Sequence, residues 1–116
     1  MFKLIRDNIP TIVTNDGGRL NYAAAQDEEF FKSLLRGKLI EEVNEYLSSD
    51  DSLEELVDIK TVLDYLIGSR LPEFKELFGQ KFKEHGGYEK RFIGFFPDPP
   101  VESARIVNAQ TPTSDN

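Results

Sequence analysis

The sequence contains no cysteine and no tryptophan, and it has one methionine and one histidine. Without cysteine, the chain can form neither a disulfide nor a thiolate metal site. It also lacks long apolar runs: none approaches the roughly 18 consecutive apolar residues expected of a membrane-spanning helix. Its first residues do not form the apolar segment of a secretory leader either. These absences predict a cytoplasmic protein with no membrane partner.

Positive charge is also scarce. Lysine and arginine number 14 against 21 aspartates and glutamates, which gives a net charge of -7. Because nucleic-acid binding depends on cations that neutralise phosphates, this balance argues against a nucleic-acid partner. The chain has 116 residues, which is the size of one domain. Such a domain can bury a modest core alone, and a larger one by pairing with a second copy.

Most of the negative charge comes from one segment. Residues 41–58 contain eight aspartates or glutamates and no lysine or arginine. Two pairs within it have members three residues apart, and each pair follows another glutamate. The pairs are Glu42 with Glu45 and Glu55 with Asp58, preceded by Glu41 and Glu54 respectively.

The apolar residues around this segment predict helices. From Phe30 to Leu47 they recur at intervals of three and four, which indicates a helix over about residues 28–48. After the polar break at residues 48–52, the same period predicts a second helix to about Gly68. A third helix begins near Pro72 and stops before Gly86-Gly87. The first two should pack as an antiparallel hairpin, because their connection is short.

The two ends of the chain are less regular. Residues 1–26 read as a short helix or extended arm with a turn at residues 15–18, and residues 20–23 could form a short strand. Residues 97–116 are rich in proline and polar residues, and we expect a poorly ordered tail. The predicted fold is therefore all-α. A helical hairpin is extended to a small bundle over residues 1–96, with an irregular N-terminal arm and the flexible tail outside it.

Helical geometry aligns the acidic pairs with the apolar stripes. At about 100° per residue, Glu42 lies on the same side of its helix as Leu35, and Glu55 lies close to the line of Val62. Glu45 and Glu55 are each five residues from Asp50, whereas Glu42 and Asp58 are each eight residues from it. In an antiparallel hairpin, Glu45 should therefore face Glu55, and Glu42 should face Asp58.

Four carboxylates brought together in a partly buried space would repel one another. Divalent cations remove this repulsion, and magnesium prefers all-oxygen ligands. A solvated acidic helix face is the plain alternative. The pattern of Asp51 with Glu54, or Ser52 with Glu55, also matches a helix cap, so that one carboxylate could serve only as a cap.

Three motifs carry a family resemblance. Glu42-x-x-Glu45 followed by Glu55-x-x-Asp58 resembles the metal-binding signature of the all-α nucleoside triphosphate pyrophosphohydrolases of the MazG-like superfamily. The opening KLIRDNIP (residues 3–10) and the later KEHGGYEKR (residues 83–91) resemble those of its phosphoribosyl-ATP pyrophosphohydrolase-like subgroup. Asn8 stands where that subgroup commonly has lysine, and His85 where arginine is common. The break between the acidic pairs is also short for the superfamily.

The resemblance implies hydrolysis of a nucleoside triphosphate between its α and β phosphates, which yields a nucleoside monophosphate and pyrophosphate. Mg²⁺ would be the cofactor, with Mn²⁺ as a substitute, and the four paired carboxylates would be its ligands. Glu41 or Glu54 would orient or deprotonate the attacking water. The candidate phosphate contacts are Lys38, Lys81, Arg91 and Arg6. Lys38 could instead pair with Glu42, and Arg6 could have a purely architectural role.

The remaining features concern assembly and alternatives. The nine phenylalanines of so small a helical domain should lie mostly in a core. Helices that are apolar on more than one side indicate that another chain completes the site, and the superfamily is typically dimeric or tetrameric, so we expect a homodimer or homotetramer. Two further functions stay open. One is hydrolysis of phosphoribosyl-ATP, and the other is a non-catalytic helical assembly module that holds a structural cation.

Overall fold

The computed structural model describes residues 2–96, and within them the regular structure is helical. The helices are α1 (Ile9–Asn15), α2 (Glu28–Ser48), α3 (Leu53–Ile67) and α4 (Leu71–His85), with a 3₁₀ turn at Gly68–Arg70 before α4. The all-α class and the three longer helices are confirmed. The strand suggested at residues 20–23 is wrong: this stretch has no regular structure. A strand needs a pairing partner, and residues 2–96 contain no strand that could provide one.

Local capping explains where α2 and α3 begin. The side chain of Asp27 accepts a hydrogen bond from the Phe30 amide at 2.8 Å, which satisfies one of the free amides at the start of α2. Ser52 does the same for α3, accepting from the Glu55 amide at 3.4 Å. These caps set the starting points from which the acidic side chains are placed on each helix.

The connection between α2 and α3 is four residues long, from Ser49 to Ser52. Asp51 adopts a positive φ of 57°, which a non-glycine residue rarely does. The Tyr46 hydroxyl donates a hydrogen bond of 2.6 Å to the Asp51 carboxylate, so α2 itself holds the strained residue in place. The turn folds α3 back against α2, and these two helices make the principal packing contact of the described chain.

The core of this hairpin is small. Among residues 2–96, the buried apolar side chains are Leu35 on α2 and Val62 on α3, at 6% and 7% exposure. The expectation that the phenylalanines lie mostly in a core is wrong for the single chain, because seven of the nine are exposed. When two helices pack together, each buries only the face that contacts the other. Side chains on the remaining faces stay in contact with solvent.

The chain divides into two compact units, the first comprising Met1–Lys75 and the second beginning at Glu76. The first unit contains the N-terminal arm and the α2–α3 hairpin. In the second unit, Phe78 and Phe82 stack with ring centroids 6.0 Å apart. The tail predicted over residues 97–116 lies outside the described residues. Within the part of the chain that is described, no helix combines the length and apolar character needed to cross a bilayer.

Candidate metal centre

Glu42 is the most deeply buried acidic residue of the hairpin. It lies two helical turns after Leu35 on the same face of α2, and it is 5% exposed. One carboxylate oxygen, Oε2, is 3.4 Å from Lys38 Nζ. The other, Oε1, is buried and has no hydrogen-bond partner. A buried carboxylate oxygen without a partner is costly, so the position is suited to a cation that the single chain does not itself provide.

Helix α3 brings two more carboxylates to Glu42. One oxygen each from Glu42, Glu55 and Asp58 lie within 4.8 Å of one another. Glu55 Oε1 is also buried without a partner. Burial raises the pKa of Glu55 above its usual value, and the negative charges of Glu42 and Asp58 raise it further. The Ser52 amide donates to the Ser49 hydroxyl at 3.1 Å, so the Glu55 carboxylate does not complete a capping box with Ser52.

A second group of three lies on α2 alone. Oxygens of Glu41, Glu42 and Glu45 also approach within 4.8 Å of one another. The charge of Glu42 is the main reason why the pKa of Glu45 is raised, and partial burial and the charge of Glu55 act in the same direction. Glu42 therefore belongs to both groups. Its negative charge is the largest charge effect on the pKa of Glu45 and on the pKa of Glu55.

This arrangement differs in detail from the two facing pairs that the sequence predicts. Glu42 approaches both Glu55 and Asp58, whereas Glu45 is the exposed member of the set. The helical wheel explains the difference, because Glu42 lies in line with buried Leu35 while Glu45 is displaced by about 60° toward the edge of the stripe. Burial decides which carboxylate becomes central, because Glu42 is buried and Glu45 is exposed.

The distances are compatible with a divalent cation. Around a magnesium ion, neighbouring oxygens are about 3.0 Å apart and opposite ones about 4.2 Å apart. The oxygens of Glu42, Glu55 and Asp58, which lie within 4.8 Å of one another, would draw closer together around the ion. All donors are carboxylate oxygens, which suits magnesium, manganese or calcium rather than softer metals.

Three cations surround the carboxylates. Lys38 lies 3.5 Å from Glu41 and 3.4 Å from Glu42, so it pairs with both. Arg6 forms a 2.7 Å ion pair with Asp58 and also donates to the Thr61 hydroxyl at 3.3 Å. Lys3 Nζ is 3.2 Å from the Glu41 carboxylate, and its hydrogen bond is the main reason why the pKa of Glu41 is lowered.

Sequence reasoning did not single out Lys3 as a site residue. It lies 38 residues before its partner, so no periodic pattern could relate the two. The signal available was its position three residues before Arg6 in the same motif.

A hollow of about 380 Å³ lies beside the carboxylates, toward the turn. It is bordered by Asn44, Glu45, Ser48, Ser49 and Glu55. The hollow is shallow and widely open to solvent. Most of the surface that its residues turn toward it is apolar, although the serine and asparagine side chains at its border can donate and accept hydrogen bonds. A polar ligand bound at the carboxylates therefore has space to extend in this direction.

Three of the predicted site residues are not among the groups and ion pairs described above. Glu54 is an exposed residue in the first turn of α3 and belongs to neither group of three. Lys81 and Arg91 are exposed residues of the second unit, whereas the cluster is built from the first. Their assignment as phosphate contacts stays a prediction.

Comparisons with protein-family models, with curated proteins and with solved structures found no match to this chain.

Proposed function

We propose that this protein is a magnesium-dependent nucleoside triphosphate pyrophosphohydrolase, which cleaves between the α and β phosphates to release pyrophosphate. One observation carries the proposal: Glu42 is nearly fully buried, has an oxygen without a hydrogen-bond partner, and groups with the carboxylates of Glu55 and Asp58. A solvated acidic face would leave such oxygens in water. The three sequence motifs that resemble the MazG-like superfamily supply the triphosphate chemistry.

The residues divide into a binding set and a supporting set. Glu42, Glu55 and Asp58 would hold Mg²⁺, or Mn²⁺ in its place, and Glu45 would complete the set from the α2 side. A bound magnesium ion would neutralise phosphate charge and make a water molecule more acidic. Lys38, held between Glu41 and Glu42, would offset the remaining charge on the carboxylates or contact a phosphate oxygen.

Glu41 is better suited to orient the water than to remove its proton. Its carboxylate is held by Lys3 and Lys38, and its pKa is lowered mainly by the Lys3 hydrogen bond. A carboxylate with a lowered pKa is a weaker base. Glu54 remains a candidate for the same role, although its exposed position would require substrate or a second chain to bring the reacting water close to it.

We propose further that the active form is a homodimer or homotetramer. Large apolar side chains of α2 and α3 remain exposed, including Leu47 at 71% and Leu53 at 74% on either side of the turn. Ile40, seven residues before Leu47, shares its face of α2 and is 64% exposed. A second copy of the hairpin would cover these faces and add to a core that one chain leaves small.

The direct test is incubation of the purified chain with a panel of nucleoside triphosphates and phosphoribosyl-ATP in the presence of MgCl₂, followed by a pyrophosphate assay. We expect release of equal amounts of pyrophosphate and nucleoside monophosphate. Glu42→Gln should abolish release, whereas Glu29→Gln, which changes an exposed acid on the same helix, should leave it intact.

The outcomes separate the candidates. Release from phosphoribosyl-ATP alone would assign the chain to that substrate. The enzymatic function would be refuted if no compound released pyrophosphate and Glu42→Gln left nucleotide binding unchanged. Metal binding without turnover would instead support a helical assembly module with a structural cation.

A further inference from the structure

The N-terminal arm, residues 2–8, lies across both helices of the hairpin although it has no helical structure before α1. Lys3 reaches Glu41 on α2, and Arg6 reaches Asp58 on α3, partners that are 38 and 52 residues away in the chain. The ring of Phe2 meets that of Phe30 edge to face, with centroids 6.0 Å apart, so the start of the arm lies beside α2. The arm thus brings two positive charges to the rim of the carboxylate cluster.

These two ion pairs are poorly suited to a purely structural role. The side chains of Lys3 and Arg6 are 58% and 56% exposed, and ion pairs so open to solvent contribute little to stability. Arg6 also occupies an oxygen of Asp58, the carboxylate that Glu42 and Glu55 need in order to complete a cation site. A guanidinium and a divalent cation on the same carboxylate repel each other, so each weakens the other's binding.

We propose that the N-terminal arm is an exchangeable counterion for the carboxylate cluster. In the metal-free protein, Arg6 and Lys3 neutralise Asp58 and Glu41. When a divalent cation binds the carboxylates, it displaces Arg6, and both side chains transfer to the oxygens of a triphosphate or pyrophosphate. This inference rests on the proposed function, and it assigns to Lys3 a ligand-binding role alongside Arg6.

The charges support the transfer. A divalent cation at Asp58 repels the Arg6 guanidinium and reduces the negative potential that holds Lys3 at Glu41. A polyphosphate bound to that cation presents new anionic oxygens close by, and a guanidinium can hold two of them at once. Because both side chains are more than half exposed, they can change partners without disturbing the packing of α2 on α3.

The test measures two affinities of the full chain by titration calorimetry. The first is that of MnCl₂ or MgCl₂ alone, and the second is that of an α,β-methylene triphosphate analogue at saturating Mg²⁺. For Arg6→Gln we expect metal affinity to rise about threefold or more, since a competitor for Asp58 is removed, while analogue affinity falls about tenfold. Lys3→Gln should lower analogue affinity with little change in metal affinity.

Lys60→Gln is the matched control. Lys60 forms an exposed i,i+4 pair with Asp64 on α3 at 3.0 Å, outside the carboxylate cluster, so neither affinity should change. Arg6→Lys keeps the charge but loses the two-pronged donor, and it should restore analogue binding only in part. Circular dichroism establishes that each variant is folded, and Arg6→Lys serves in place of Arg6→Gln if the latter does not fold.

A fall of both affinities in Arg6→Gln would indicate a structural role and overturn the proposal, as would an unchanged analogue affinity. The two proposals fail separately. Opposite changes in the two affinities without pyrophosphate release would keep the exchange and refute the hydrolase. Turnover by the wild-type chain, with unchanged affinities in both arm variants, would keep the hydrolase and refute the exchange.

Discussion

Replacement of Glu42 by methionine should make the metal-free protein more stable. The substitution removes a buried oxygen without a partner, whose cost is about 1–3 kcal/mol. It also removes one of the two ion pairs of Lys38, which keeps its pair with Glu41, at a cost of about 1 kcal/mol or less. Methionine has a similar length and adapts to the space beside Leu35. The net gain should be about 1–2 kcal/mol, and therefore a rise in Tm of about 5–15 °C for a domain of this size.

With magnesium bound, the wild-type chain should become more stable than Glu42→Met. At a free concentration 100-fold above its Kd, the ion stabilises the wild-type chain by about 2.7 kcal/mol, and the variant should gain almost none of this. Thermal denaturation at fixed protein concentration, with EDTA and then with a MgCl₂ series, measures both effects. Glu29→Met, an exposed change on the same helix, should alter stability by less than about 1 kcal/mol and keep the magnesium response.

Two results would refute this reasoning. If Glu42→Met were less stable than the wild type in EDTA, the buried carboxylate would have a favourable partner in the metal-free protein. If the variant kept the full rise in Tm with magnesium, the ion would bind somewhere other than Glu42.

Three further predictions concern the same hairpin. The pKa values of Glu45 and Glu55 are raised in the folded protein above their ordinary 4.5, mainly by the charge of Glu42 and by burial respectively. The native state thus holds more protons than the unfolded chain near and above pH 4.5. The Tm measured in EDTA should therefore fall as the pH rises above about 4.5, and saturating Mg²⁺ should make this fall smaller. Leu53→Lys should convert a dimer or tetramer to monomers in light scattering, because it places a charge on an exposed apolar face, and an unchanged mass would place the interface elsewhere. Tyr46→Phe should lower the urea midpoint slightly, since it removes the hydrogen bond to Asp51, and the loss should disappear in an Asp51→Gly background.

The sequence was sufficient to place the helices and to align the acids with the core. The period of three and four between Phe30 and Leu47 predicted α2, and the structure places it at Glu28–Ser48. The heptad relation of Glu42 to Leu35 predicted that this acid lies on a buried face, and its 5% exposure agrees. Both inferences depend on local geometry, which a single helix specifies by itself.

The rest depended on contacts between distant segments. Glu42 has both Glu55 and Asp58 as neighbours only because α3 packs against α2. Lys3 meets Glu41 only because the arm crosses the hairpin. The exposed phenylalanines show the same limit, because apolar composition predicts what should be buried but not whether the chain itself supplies the covering surface.

The four-residue connection at Ser49–Ser52 gives this hairpin an unusual sensitivity to chain length. Surface loops generally tolerate insertions. Here the two helices contribute carboxylates to one point, so the turn determines their relative rotation and height. One added residue continued into α3 would rotate its side chains by about 100° and move them by about 1.5 Å along the axis. Both helices would still form, but Glu55 and Asp58 would no longer meet Glu42. The turn contributes no metal ligand, yet its length is restricted because it determines whether the acids of α2 and α3 meet.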